Sequence, residues 1–204
     1  MNIHLKKDQR IKVNLPSDLY PVMKAILMRE SKTDRGREHF WTVSLDNANR
    51  ILNIELISMG TATKTLAEPM EVFSIPLQKR AIRLMLVHNH PSGQLLPSKE
   101  DKDLTDKLIQ CGHILNLPVI DHLIITEESY YSFALSGIMD ELEQSTRYVP
   151  GYEMQRRYEK AGTEKGKDER SKEIAREMKR KGIDPEIIAE VTGLSVASVK
   201  KLKT

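Results

Sequence analysis

Apolar residues Leu19, Val22, Met23, Ile26 and Leu27 recur every three or four positions within PSDLYPVMKAILMRES, which predicts a helix over 16–31 with one buried stripe and Ser17 as its N-cap. The polar SKTDRGRE ends this unit. HFWTVSL and RILNIELISMG then alternate around DNAN, the pattern of a β-hairpin closed by a turn. Past a threonine-rich connection, EPMEVFSIPLQKRA has a helical pattern, which Pro76 should kink or split because its ring removes a backbone donor. IRLMLVHNH reads as a short, mostly apolar strand, followed by a loop rich in glycine and proline. Ser98 to Leu115 reads as a helix with Leu104, Leu108, Cys111 and Leu115 on one face. PVIDHLIIT is a second buried strand, and YYSFALSGIM closes the region. Strands alternating with helices imply an α/β layer structure.

The pattern breaks near Glu141. GYEMQRRYEKAGTEKGKDERSKE is charged and nearly free of aliphatic residues, which suits a solvated helix or a linker rather than core. IAREMKRKG, DPEIIAEVTG and SVASVKKL then restore an amphipathic rhythm. Four regions follow: an N-terminal helix and connection (1–35), the α/β domain (36–140), a charged linker or helix (141–170) and a helical tail (171–204).

Composition narrows the classes. A chain of 204 residues with 39% hydrophobic content can supply one core with additions. The formal charge is only +3, but residues 1–140 hold 17 side chains of each sign, so the positive excess lies in the tail. Cys111 is the single cysteine, which excludes an intramolecular disulfide, and no charged-then-apolar leader opens the sequence; the expected location is a reducing cytoplasm. The apolar runs are too short for a bilayer-spanning helix.

The chemistry gathers in LVHNHPSGQLLPSKED. If 83–90 is a strand, His88 and His90 project from the same face, because side chains alternate, and can share one metal ion. Asp101 follows after a loop able to turn back, giving two imidazoles and a carboxylate with an open fourth position, the pattern of a catalytic zinc site. Zinc is the first choice for such a donor set, ahead of manganese or iron. The same residues have a plainer role: after Pro97, Ser98 is an N-cap and Asp101 an N3 carboxylate. The two roles are compatible.

HNHPSG followed by PSKED resembles the JAB/MPN metalloprotease signature H-x-H-x(7)-S-x-x-D, in its bacterial RadC-like form. REHFWTVSLDNANRIL is similar to that family's opening hairpin, EVF and QKRA to its central helix, and VIDHLIIT, YYSF and SGIM to its closing strand and turn, so the resemblance covers roughly 36–140. It implies a cytidine-deaminase-like mixed sheet flanked by helices, with one zinc ion on His88, His90 and Asp101. It further implies that Glu38 acts as general base and that Ser98 hydrogen-bonds in the site and helps stabilise a developing oxyanion. A plain reading makes Glu38 an exposed carboxylate at a strand start; Glu71, the nearest rival acid, falls on a helix. Asp121 and His122 fit the same pattern, either orienting a ligand or forming a satisfied structural pair. His4, His39 and His113 read as surface or packing residues, and Cys111 as core.

Longer RadC-like proteins carry a helix-hairpin-helix module before this domain, and residues 1–35 are too short to supply it, so DNA binding is expected elsewhere. IAREMKRKGIDPEIIAEVTGLSVASVKKL resembles helix-turn-helix segments and the tails of Rpn-type transposases and nucleases, with Ala189 and Gly193 at the packing and turn positions and Ser195 opening the recognition helix. Lys200, Lys201 and Lys203 could meet phosphates; a short amphipathic hairpin for packing or oligomerisation uses the same residues. Two function classes result. One is a zinc hydrolase cleaving peptide or isopeptide bonds; the other is a DNA-associated protein of repair or mobile elements, using the fold as a scaffold or a metal-dependent nuclease. The contiguous letters H-N-H do not indicate an HNH nuclease, whose residues are dispersed over a ββα-metal unit.

Overall fold

The computed structural model describes residues 1–5, 9–60 and 67–202, with side chains other than those at 157, 158, 161, 164 and 165. The threonine-rich connection and Lys203 lie outside the described residues. The chain forms two compact units, Met1–Tyr148 and Val149–Thr204.

In the first unit the elements run α1 (Pro16–Leu27), α2 (Lys32–Arg35), β1 (His39–Leu45), β2 (Ile51–Met59), α3 (Pro69–Gln78), β3 (Arg83–Asn89), α4 (Lys99–Leu115), β4 (Val119–Ile125), β5 (Tyr130–Ser132) and α5 (Ile138–Glu143). The sheet order is β2-β1-β3-β4-β5. Only β3 and β4 are parallel, and α4 is the crossover that such a pair needs. The result is an α/β fold, as the element pattern predicts, with the mixed sheet that the resemblance implies.

Strand alternation decides which layer each residue joins. Trp41, Val43, Met85, Val87, Leu123 and Ile125 pack with the α1 stripe. Phe40, Leu84, Leu86, Ile124 and Phe133 pack with α3, α4 and α5 on the opposite face. His88 shares the parity of Leu84 and Leu86, so its ring lies on the α4 side. The N-terminal segment adds to this frame: Leu56 donates to the Met1 carbonyl and Ile3 to the Ile54 carbonyl, both at 2.9 Å, covering the outer edge of β2.

Three local expectations are corrected. Ser17 is not the cap of α1: Leu15 is the N-cap and Pro16 takes the first turn, where its missing donor costs nothing, while the Asp18 carboxylate accepts from Asn14 and Leu15. Helix α1 ends at Leu27 rather than running to 31, and Ser31 instead caps the short α2. Pro76 does not split α3, because it sits in the last turn and deprives a single carbonyl. On α4 the buried face runs through Thr105, Leu108, Ile109 and Gly112, with Leu104 and Cys111 partly buried, whereas Leu115 is 40% exposed. Helix α4 ends at Asn116 in the left-handed conformation, and the chain turns back so closely that a Cβ on Gly112 would lie 2.7 Å from the Leu117 carbonyl oxygen.

The second unit holds α6 (Gly151–Arg180), α7 (Pro185–Thr192) and α8 (Val196–Lys201). The charged stretch is thus helical from Gly151, in one helix that passes without a break into the tail. Ala175, Ile188 and Val199 form its buried core, with Met178, Ile183, Ala189, Leu194 and Leu202 around them. Gly193 ends α7 at φ 71°, a conformation that favours glycine, and Ser195 caps α8.

Candidate metal centre

His88 is the next-to-last residue of β3, and His90 lies one residue beyond it, tied by its backbone N–H to the Ile125 carbonyl at 3.0 Å. Asp101 reaches them from the first turn of α4. Ser98 and Asp101 form a capping box: the Ser98 Oγ accepts from the Asp101 N–H at 3.0 Å, and Asp101 Oδ2 accepts from the Ser98 N–H at 2.8 Å and from its hydroxyl at 2.6 Å. This turn aims the carboxylate. Asp101 Oδ1 lies 3.2 Å from His88 Nε2, Oδ2 lies 3.5 Å from His90 Nε2, and the two imidazole nitrogens are 2.9 Å apart. One carboxylate thus caps the helix and faces both imidazoles.

The donor chemistry fits a cation. His90 Nδ1 lies 2.7 Å from the Gln94 carbonyl oxygen, which only accepts, so the neutral ring carries its proton there and turns the Nε2 lone pair inward. One atom from each of His88, His90 and Asp101 falls within 4.8 Å of the others, and no second such cluster occurs among the described residues. Burial works against the Asp101 carboxylate, but its bonds to His88 and His90 outweigh this and hold it well below the usual carboxylate range. For His90 burial lowers the pKa, yet the Asp101 and Gln94 hydrogen bonds bring the net direction upward. Two imidazole nitrogens and an ionised carboxylate are a divalent-metal donor set.

The cluster opens into a cleft of about 860 Å³ whose lining includes Glu38, Phe40, Glu68, His90, Leu96, Ser98, Glu100, Asp101, Asp103 and Lys107. Glu38 immediately precedes β1, two residues before Phe40, and alternation places it on the same side of the sheet as His88. Burial raises its pKa, His88 and His90 oppose that, and Asp101 adds to it. Glu71 lies in the first turn of α3 and is not among the cleft residues.

A model of the RadC-like JAB domain matches residues 13–138, more than half of the chain. The chain belongs to the RadC-like JAB family. A second model, the C-terminal helix-turn-helix domain of the Rpn/YhgA-like nuclease family, matches residues 168–204. Among curated relatives, each named only as a UPF0758 protein, that of Desulforudis audaxviator is 38% identical over 123 residues, covering 60% of this chain and 54% of its own. That of Flavobacterium johnsoniae is 38% identical over 127 residues (62% and 53%), and that of Moorella thermoacetica 46% identical over 96 residues (47% and 42%). The chain thus spans about half the length of these relatives.

Within this RadC-like JAB domain, Asp121 and His122 do different things. Asp121 accepts from the Ser132 hydroxyl at 2.7 Å, the Ala134 N–H at 2.9 Å and the His122 N–H at 2.7 Å, and so holds the turn after β5. Burial raises its pKa. The His122 ring meets the site: its Nε2 lies 2.8 Å from His88 Nδ1 and its Nδ1 lies 2.7 Å from Thr105 Oγ1. Complete burial pushes the His122 pKa far down, which keeps the ring neutral. Thr105 and Gln94 have no motif of their own; only their contacts mark them. Of the remaining histidines, His39 is buried and stacked on Trp41, while His113 pairs with Glu143 at 2.9 Å on the surface.

In the tail, Ser195 accepts from the Ser198 N–H at 3.1 Å, and Lys200 and Lys201 are exposed at the end of α8. The Lys179 ammonium closes that end by donating to the Val199, Lys200 and Leu202 carbonyls at 3.3, 3.0 and 2.8 Å. No helix among the described residues is long and apolar enough to cross a membrane.

Proposed function

We propose that this protein is a zinc-dependent hydrolase of the metallopeptidase or isopeptidase type. The observation that carries the reading is the convergence of His88, His90 and Asp101, the last two of which line an open cleft that also holds Glu38. One zinc ion would sit on those three side chains. When bound, zinc supplies Lewis acidity, polarising a carbonyl and bringing the ionisation of water from about 15.7 to near 7.

The chain's own groups supply the rest. Glu38, made more basic by burial, takes a proton from the attacking water and returns it to the leaving amine as the C–N bond breaks. Ser98 donates a hydrogen bond to Asp101 and so orients that carboxylate; stabilising an oxyanion requires the hydroxyl to swing away from it. The charge of the cleft favours a peptide over a nucleic acid: five acidic side chains line it against one lysine, Lys107, which is paired with Glu68 at 3.2 Å. A phosphate backbone would be repelled. The absence of a second cysteine suits a reducing cytoplasm.

The test is elemental analysis of protein purified without added metal. Near-stoichiometric zinc is expected in the parent and none in His90→Ala or Asp101→Ala. Glu38→Gln keeps the zinc and loses hydrolysis of a peptide or isopeptide substrate by about 10²- to 10⁴-fold. Zinc retained in both ligand variants defeats the assignment.

The match to a helix-turn-helix model supports a second reading, DNA association through the tail, in repair or on a mobile element. Ser195, Lys200 and Lys201 would lie against the DNA. Binding that weakens steeply with salt and disappears on removing 149–204 is the expected signature. Binding unchanged by that deletion would exclude the tail.

A further inference from the structure

Given the zinc reading above, we infer that Thr105 and His122 are positioning residues that decide whether the His88 nitrogen facing the metal, Nε2, presents a lone pair or a proton. Three side chains form one hydrogen-bonded line: His88 Nδ1 to His122 Nε2 at 2.8 Å, His122 Nδ1 to Thr105 Oγ1 at 2.7 Å, and the Thr105 hydroxyl to the Asp101 backbone carbonyl at 2.6 Å. His88, His122 and Thr105 are each at most 1% exposed, so these contacts are not replaced by solvent.

A neutral imidazole donates through one nitrogen and accepts through the other, and a hydroxyl has one proton. The line therefore has two complete arrangements. When the Thr105 hydroxyl donates to the Asp101 carbonyl, His122 Nδ1–H donates to Thr105, His88 Nδ1–H donates to His122, and His88 Nε2 presents a lone pair beside that of His90. When the hydroxyl instead donates to His122 Nδ1, it gives up the Asp101 carbonyl, the two bonds made by His122 reverse, and His88 Nε2 carries a proton aimed at His90 Nε2, 2.9 Å away. Both arrangements hold the same number of protons. The first suits a cation in the site, and the second suits the site without one.

The hydroxyl is what makes the first arrangement affordable inside the protein. With valine at 105, a proton on His122 Nδ1 would have no acceptor in a fully buried place, so His122 would keep its proton on Nε2 and lock His88 in the form that opposes metal. Serine would preserve both arrangements.

The experiment is a zinc competition assay against a chromophoric chelator at one pH, with histidine ¹⁵N NMR on the same samples. Thr105→Val should weaken zinc binding about 10- to 100-fold, and Thr105→Ser should stay within about twofold of the parent. On zinc addition the His88 and His122 protons should both be found on Nδ1. The inference is overturned if valine binds zinc like the parent, if serine is as weak as valine, or if zinc-loaded His88 is not protonated on Nδ1. A parent that binds no zinc would defeat the zinc reading alone, because the relay is still tested metal-free. There, Thr105→Val should place the His122 proton on Nε2 to a greater extent than the parent does, and identical tautomers in the two would overturn the relay.

Discussion

The Met1–Tyr148 unit takes polar groups inside: His88, Thr105, Asp121 and His122 are all buried between layers of aliphatic and aromatic side chains. In the Val149–Thr204 unit the buried core is Ala175, Ile188 and Val199, and no charged side chain is buried among the described residues. The difference is one of scale. Burying a polar group is costly unless it is hydrogen-bonded, and only a sheet covered on both faces provides enough apolar area to offset the cost and enough partners to satisfy the group. The larger unit can hold a reactive cluster in fixed geometry; the smaller one presents its charges outward and is suited to surface contact. The glycines repeat this contrast. Gly112 is required by a close approach of backbone, with no room for a Cβ, whereas Gly193 has open space around it and is required by its φ of 71°.

These contrasts can be broken experimentally, best by hydrogen exchange resolved to peptides, which reads each unit separately. Trp41→Ala, at a fully buried position, should cost the first unit about 3–5 kcal/mol. Zinc at 100 times its Kd should stabilise the same unit by about 2.7 kcal/mol while leaving the protection of 149–204 unchanged. A shift in the tail with none in the first unit would place zinc outside the His88 cluster. Gly112→Ala should cost about 1–3 kcal/mol, because the obstructing atom is a backbone oxygen that cannot turn away. Gly193→Ala should cost about 1 kcal/mol, purely from the left-handed backbone, so a larger loss would show hidden packing there. The smallest effect concerns Cys111, whose thiol pKa is raised by burial against the pull of Lys107; alkylation at pH 8 should be slower than for a free thiol, and a fast reaction would show the α4 face to be open.

Local chemistry accounts for what could be read from residues alone. Hairpin β1–β2 and strands β3 and β4 are visible because alternation is a property of a few consecutive residues, and their ends carry turn-forming ones. The approach of His88, His90 and Asp101 is visible for a related reason: the two histidines share a parity at the end of β3, and the aspartate is aimed by its own capping box. Ser17 and Pro76 misled because a neighbour decided the outcome: Pro16 took the first turn of α1, and the end of α3 came just after Pro76. Leu115 misled because Asn116 turns the chain away from the core that its periodicity implied.

By itself, then, the sequence determined most of the elements, the α/β order and the convergence of His88, His90 and Asp101, since each rests on spacing within one segment. Tertiary structure alone decided that His122 stands behind His88, that Thr105 on α4 closes the line, that Gln94 orients His90, and that the N-terminal segment covers the edge of β2. Those contacts join residues 17 and 34 positions apart on helix and strand, or pair a carbonyl, or backbone alone, with its partner. Side-chain type and periodicity do not encode such pairings, because they come into being only when the layers close.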